Sequence, residues 1–128
     1  MKALLVSPDP DTRELMRLAV GGISRKLDKR LEFLEATNGE RALKVAWRER
    51  PDVVVADEFA SRAGAFAMTK DLRGASDPFP GVIVILLDRH HDEWLARWSG
   101  ADAWFVKPFD PFELASRVVD LLHAKEPA

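Results

Sequence analysis

Two charged residues that follow apolar runs could do chemistry in this chain. Asp57 ends the run 53–57, and Lys107 follows the run 104–106 and precedes Pro108. Short runs rich in β-branched residues and bounded by Pro or Gly are typical of strands buried on both faces. If these two strands are neighbours in a parallel sheet, their charged ends lie at the same edge. The pattern therefore predicts an Asp57–Lys107 ion pair.

Short apolar runs alternate with amphipathic segments along the whole chain. Acceptor side chains at Asp11 and Asp110, each with Glu three residues later, predict helix starts, and Gly100 predicts a helix end. The predicted strands are 2–6, 31–37, one that ends at Asp57, 82–87 and 103–106. The predicted first helix follows Asp11 and either frays near Gly21-Gly22 or ends by Leu27. The other predicted helices are 40–50, 66–73, 91–99 and one from 111 onward. Five β-α units in alternation predict an α/β fold, a doubly wound five-stranded parallel sheet with helices on both faces. Ligands bind such sheets at the carboxyl ends of the strands, where Ser7, Asp57 and Lys107 would lie.

Composition excludes several classes of function. A chain of 128 residues is expected to form one domain over 1–124, with a loose tail at 125–128. The net charge is −2, and only Arg25-Lys26 and Lys29-Arg30 cluster basic residues, so we expect no nucleic-acid partner. No cysteine is present, which excludes disulfides and thiolate chemistry. The longest aliphatic run, 82–87, is far shorter than the roughly 20 residues that span a bilayer, so we expect a cytoplasmic protein without a membrane partner.

The sequence resembles the receiver domains of bacterial response regulators over essentially its whole length. The resemblance rests on the segment 51–57, on Gly-Ala-Asp-Ala-Trp-Phe-Val-Lys-Pro-Phe at 100–109, and on an N-terminal strand followed by Pro-Asp-Thr-Arg-Glu-Leu at 10–15. It implies the strand order 2-1-3-4-5. It further implies that Asp57 accepts a phosphoryl group from a histidine kinase and that Lys107 contacts this group, with a cis peptide bond before Pro108.

Four other positions depart from the pattern of that family. The two adjacent acids that hold magnesium in the family correspond to Ser7 and Pro8. The Ser or Thr that ends the fourth strand corresponds to one of the residues 85–87, with Leu87 taken as the position, and none of these carries a hydroxyl. The switch aromatic of the fifth strand corresponds to Trp104. We therefore expect slow or absent phosphorylation, since phosphoryl transfer depends on a metal and positioned cations.

Charge balance at the matching positions leads to the same expectation. One carboxylate and one ammonium, Asp57 and Lys107, neutralise each other without a metal, so we expect no cofactor. Asp9 is the alternative: its carboxylate either turns toward Asp57 and restores weak magnesium binding, or caps the first helix with Pro10 in the first turn.

Tryptophans form a second group of candidate functional residues. Trp94 and Trp98 are one turn apart on the fourth predicted helix, and Trp104 lies on the adjoining strand. In the receiver family the face made by the fourth helix, fifth strand and fifth helix contacts dimer partners and targets. These rings either anchor a partner there or pack into the core of the domain, with Trp98 alone partly exposed.

We interpret the chain as an atypical single-domain receiver that binds a protein partner, is not an enzyme and works without phosphorylation or magnesium. The partner is a histidine kinase, a downstream target or a second copy of the chain. The alternative is a phosphoaccepting receiver in a phosphorelay that uses Asp57 with weak metal binding. A flavodoxin-like ligand binder is a third hypothesis. A metal site at His90, His91 and Asp92, with Asp88 nearby, has little support because consecutive loop residues seldom converge on one ion.

Overall fold

The computed structural model describes residues 1–58 and 64–125, which form a five-stranded sheet and five α-helices. In chain order the elements are β1 (Lys2–Val6), α1 (Pro10–Leu27), β2 (Glu32–Ala36), α2 (Gly39–Glu49), β3 (Val53–Asp57), α3 (Ala65–Gly74), β4 (Val82–Leu87), α4 (Glu93–Ser99), β5 (Ala103–Val106) and α5 (Pro111–Lys125). All paired strands are parallel, in the order β2-β1-β3-β4-β5. The predicted fold class and strand order are therefore confirmed.

Alternate residues of each strand point to opposite faces of the sheet and build two cores. On one face, residues such as Leu4, Val54 and Ile85 pack with buried residues of α2, α3 and α4. On the other, residues such as Leu5 and Val55 pack with α1 and α5. Because β3 and β4 are covered on both sides, their sequences are nearly continuous apolar runs. Both bounds of β4 and the end of β3 at Asp57 were predicted correctly.

The edge strand β2 is shorter than predicted, at 32–36 instead of 31–37. It pairs with β1 alone, and Glu32 and Glu35 point to solvent. The Glu35 Oε1 forms ion pairs with two arginines of α1, at 3.2 Å to the Arg13 Nε and 2.8 Å to the Arg17 Nη2. An edge position explains why the apolar alternation of this segment is weak in the sequence.

Helix α1 begins earlier than the capping box at Asp11 predicts. Asp9 is the cap: its Oδ1 accepts a hydrogen bond from the Asp11 N–H at 3.2 Å, and its Oδ2 accepts one from the Thr12 hydroxyl at 2.7 Å. Pro10 takes the first helical position, where a missing N–H costs nothing. The prediction of a cap at Asp11 was wrong, and the capping alternative for Asp9 is what the structure shows.

Of the two predicted ends of the first helix, the structure shows the later one: α1 passes through Gly21-Gly22 and continues to Leu27. A Cβ atom built on Gly22 would lie 3.2 Å from the Cβ of Ala115, so the glycine lets α1 approach α5 closely. The gain from packing two helices together outweighs the weak helix propensity of two glycines.

Gly100 ends α4 as predicted, with a φ of 97° that favours glycine. A Cβ atom there would also meet the Cγ of Arg73 at 2.8 Å. The Arg73 guanidinium bonds the Gly100 carbonyl at 3.0 Å and the Asp102 carboxylate at 2.5 Å, which joins α3 to the start of β5. Of the loop predicted at 58–63, residues 59–63 lie outside the described residues, as do residues 126–128 of the predicted tail.

Candidate functional site

The strand register brings four side chains to one edge of the sheet. Val6 of β1 pairs with Ala56 of β3, so the next residues, Ser7 and Asp57, are neighbours. Leu87 of β4 pairs with Val106 of β5, so Asp88 and Lys107 are neighbours in the same way. The N–H of Lys107 donates to the Leu87 carbonyl at 2.8 Å, which holds the lysine at the end of β4.

Asp57 and Lys107 form the ion pair predicted from the sequence. The Lys107 Nζ lies 2.7 Å from the Asp57 Oδ1, and the Asp57 side chain is only 4% exposed. Burial works against the charged ammonium, but its hydrogen bonds to Asp57 and then Asp88 outweigh this and raise the pKa of Lys107 above its ordinary value. The lysine therefore stays charged. The Lys107–Pro108 peptide bond is cis, as expected.

Ser7 supplies the second contact to the Asp57 carboxylate. Its hydroxyl donates to the Asp57 Oδ2 at 3.0 Å, and the Ser7 Oγ in turn accepts the Asp9 N–H at 3.1 Å. The Ser7 carbonyl accepts a hydrogen bond from the Arg13 guanidinium at 2.7 Å, which fixes the turn to the first helix. Both oxygens of the Asp57 carboxylate thus have a donor from this chain.

The contact between Asp88 and Lys107 was not predicted from the sequence. Its Oδ1 lies 2.9 Å from the Lys107 Nζ, so one ammonium contacts two carboxylates. The sequence-based count of one carboxylate against one ammonium was therefore wrong for this cleft. The signal was present, because Asp88 directly follows an apolar strand that ends at the same edge.

Glu58 and Asp92 extend this group of carboxyl residues. Burial, followed by a hydrogen bond to Asp92, raises the pKa of Glu58 to about 7. The interaction with Glu58 lowers the pKa of Asp92. The Glu58 Oε2 also accepts the Asp88 N–H at 2.6 Å, which ties the residue after β3 to the residue after β4.

Comparison with known proteins places this geometry in a family, although no family model matches the chain. An uncharacterized response regulatory protein of Mycobacterium tuberculosis is 30% identical over 124 residues, which cover 97% of this chain and 92% of that protein. The chain belongs to the response regulators. The response regulator MprA of Mycobacterium leprae is 30% identical over 99% of this chain, and PhoP of Bacillus subtilis, a regulator of alkaline phosphatase synthesis, is 34% identical over 74%. The matched part spans 53% of MprA and 40% of PhoP.

Solved structures agree that the chain is a CheY-like receiver domain. The activated N-terminal receiver domain of Klebsiella pneumoniae RstA superposes with a TM-score of 0.77 at 29% identity, over 95% of this chain and 98% of that one. The signal receiver domain of a Syntrophus aciditrophicus histidine kinase has the same fold, with a TM-score of 0.80 at 23% identity over 99% and 93% of the two chains. The relatives are signalling proteins. Among the described helices of this receiver, none has the length and apolar character that crossing a membrane requires.

The residues of this receiver do not fit the magnesium ion that the family implies. Pro8 has no oxygen in its side chain, and the Ser7 hydroxyl is committed to the Asp57 carboxylate. The Asp9 carboxylate faces the first turn of α1, where hydrogen bonds from Thr12 and then Asp11 lower its pKa. Within residues 1–58 and 64–125, no three acidic or histidine side chains are placed to hold a metal ion, those of the loop at 90–92 included.

The two switch positions lie in apolar surroundings. Leu87 is fully buried in the core beneath α2, α3 and α4. Trp104 packs against the same core, and the Arg97 guanidinium lies 5.5 Å from its ring centroid. The role of both positions in switching stays a prediction.

Trp94 and Trp98 are exposed on α4, by 62% and 54%. The Lys70 ammonium from α3 lies 4.5 Å from the Trp98 ring centroid, a cation–π contact. The alternative that Trp94 packs into the core does not hold, because Ala96 is the α4 residue that the core contains. Two large rings on a seven-residue helix are therefore available to a partner.

Proposed function

We propose that this receiver domain is a protein-binding signalling module that works without phosphorylation of Asp57 and without Mg²⁺. The observation that carries the proposal is the double engagement of the Asp57 carboxylate. Its Oδ1 accepts from Lys107 and its Oδ2 from the Ser7 hydroxyl. A phosphoryl acceptor must present a carboxylate oxygen to its donor, and here each oxygen already accepts a hydrogen bond from this chain, which makes it a weaker nucleophile.

The departures at Ser7 and Pro8 support the same proposal through charge. Mg²⁺ prefers hard, anionic oxygen ligands, and neither residue supplies a carboxylate. Without such a cation, the negative charge that develops during phosphoryl transfer is left with Lys107, whose ammonium is already paired with Asp57 and Asp88. The intact Asp57–Lys107 pair is the feature that favours the alternative of a slow phosphoaccepting receiver.

The face of α4 and β5 is the surface that we assign to the protein partner. Trp94 and Trp98 are exposed, and tryptophan is among the residues that dominate binding energies at interfaces. The partner is a protein, and we take a second copy of the chain as the case to test first. The double substitution Trp94→Ser and Trp98→Ser should leave the melting temperature unchanged and abolish any concentration-dependent sedimentation of the wild type.

Magnesium titration tests the metal-independent part of the proposal. Intrinsic tryptophan fluorescence should show no saturable change with MgCl₂ beyond that seen with NaCl of equal ionic strength. The double substitution Ser7→Asp and Pro8→Asp restores the two acids and serves as the positive control, because it should bind the ion. A saturable response of the wild type that Asp57→Asn removes would favour the phosphoaccepting alternative.

A further inference from the structure

Asp88 gives Lys107 a second carboxylate that the proposed function does not itself require. Its Oδ1 is 2.9 Å from the lysine Nζ, and its side chain is 22% exposed, similar to the 25% of Lys107. The Asp88 Oδ2 is buried and has no hydrogen-bond partner among the described residues. A carboxylate with one oxygen on a lysine and the other without a donor is held there mainly by that ion pair.

The backbone fixes Asp88 in this position independently of its side chain. Its N–H donates to the Glu58 Oε2 at 2.6 Å, and Leu87 before it is paired with Val106 in the sheet. The side chain can therefore be changed while the loop after β4 stays where it is. This matters for the experiment, because an Asn at 88 keeps the shape and removes only the charge.

The charges around Lys107 decide what else can bind there. Two carboxylates, Asp57 and Asp88, lie within 3 Å of the single ammonium, at 2.7 Å and 2.9 Å. An external oxyanion that approaches this ammonium meets like charge from both. Like charges at such distances repel strongly in a partly buried site, where solvent screens them little.

We infer that Asp88 is a tethered anion that occupies Lys107 and excludes tetrahedral oxyanions from the cleft. Asp88 is thus a specificity-determining residue, which acts on the class of ligand that includes inorganic phosphate and sulfate. The inference rests on the proposed function, because it supplies one physical reason for phosphorylation independence. Removing the Asp88 charge takes one of these two carboxylates away from the Lys107 ammonium and so weakens the repulsion that an approaching anion meets.

Titration with inorganic phosphate tests the inference, with ionic strength held constant by NaCl. Backbone amide NMR shifts of Lys107 and its neighbours report binding. The wild type should show no saturable shift. Asp88→Asn should show a saturable shift at Lys107, with an affinity at least about tenfold above any residual binding of the wild type.

Three controls separate the contact from general charge effects. Asp71→Asn removes the same charge from an exposed position on α3 and should behave like the wild type. The double variant Asp88→Asn with Lys107→Met should lose the gained binding. Asp88→Ser repeats the test with a smaller side chain if the Asn variant folds poorly.

Equal phosphate responses of Asp88→Asn, Asp88→Ser and the wild type would overturn the inference. A gain of phosphate binding in Asp71→Asn would also overturn it, as would phosphate binding by the double variant that lacks the Lys107 ammonium. The proposed function fails by a different result, the covalent labelling of wild-type Asp57. Because inorganic phosphate does not transfer its phosphoryl group here, the two failures are distinguishable.

Discussion

Lys107 holds together the buried charges at the carboxyl edge of the sheet. Removing one partner of a buried pair leaves the other charge uncompensated, which costs more than the pair itself contributes. We predict that Lys107→Ala lowers the free energy of unfolding by about 3 kcal/mol, because Asp57 and Asp88 then both lose their cation. Urea unfolding measures this. The exposed Lys26→Ala is the matched control and should change stability by less than about 0.5 kcal/mol.

Asp57→Asn tests which kind of site surrounds the aspartate. In this cleft the carboxylate is paired, so the substitution should lower the melting temperature, although Asp88 still contacts Lys107. In a cluster of acids built for a cation, the same substitution relieves repulsion and stabilises the fold. A higher melting temperature of Asp57→Asn would contradict the account of an aspartate held by Lys107 and Ser7 without a metal.

Glu58 makes stability depend on pH in a defined window. Its pKa is 4.5 in the unfolded chain and about 7 in the folded protein, through burial and the bond to Asp92. The folded state therefore binds more protons between these values, and the free energy of unfolding falls as pH rises through them. Asp92 has a lowered pKa, so its contribution is lost only in more acidic solution.

Thermal melts between about pH 5 and pH 8 measure this dependence. The wild-type melting temperature should fall as the pH rises over that range. The melting temperature of Glu58→Gln should fall less, since Gln keeps a donor for Asp92 and does not ionise. The difference between the two proteins isolates Glu58 from Asp88, Arg89 and His91, the other charged or titratable groups around the pair. Parallel curves for the two proteins would contradict the assignment.

Helices α1 and α5 depend on close contact at Gly22. We predict that Gly21→Ala stabilises the protein by about 0.5 to 1 kcal/mol, the usual gain from glycine to alanine in a helix. Its new Cβ meets only the flexible end of Arg25, at 3.7 Å. Gly22→Ala should raise the free energy of unfolding by less, or lower it, because the new Cβ meets the Ala115 Cβ at 3.2 Å. Urea unfolding compares the pair, and equal gains would contradict the close packing.

Elements with one dominant local signal were predictable from the sequence. β3 and β4 are continuous β-branched runs, and Gly100 marks the end of α4 because its φ is positive. The start of α1 was not predictable in this way, since both Asp9 and Asp11 are good helix caps and the choice between them depends on Pro10 at the first helical position. The persistence of α1 through Gly21-Gly22 depends on α5, which no local pattern records.

For the molecule as a whole, strand order and register determine what the site contains. The alternation of elements and the motif at 100–109 were enough to predict the sheet and the Asp57–Lys107 contact. Asp88 and the link between Glu58 and Asp92 were not predicted, because neither belongs to a motif of the family, although Asp88 directly follows β4 at the same edge of the sheet. In the resulting cleft, Asp57 and Asp88 contact Lys107, and Asp57 also accepts from the Ser7 hydroxyl.

Acetyl phosphate labelling tests the central claim most directly, because it asks whether Asp57 accepts a phosphoryl group. The wild type and the Ser7→Asp, Pro8→Asp variant are incubated with acetyl phosphate and MgCl₂, and intact-protein mass spectrometry measures the labelled fraction. We predict no labelling of the wild type above that of Asp57→Asn. Stoichiometric addition of one phosphoryl group to the wild type, absent from Asp57→Asn, would contradict the account.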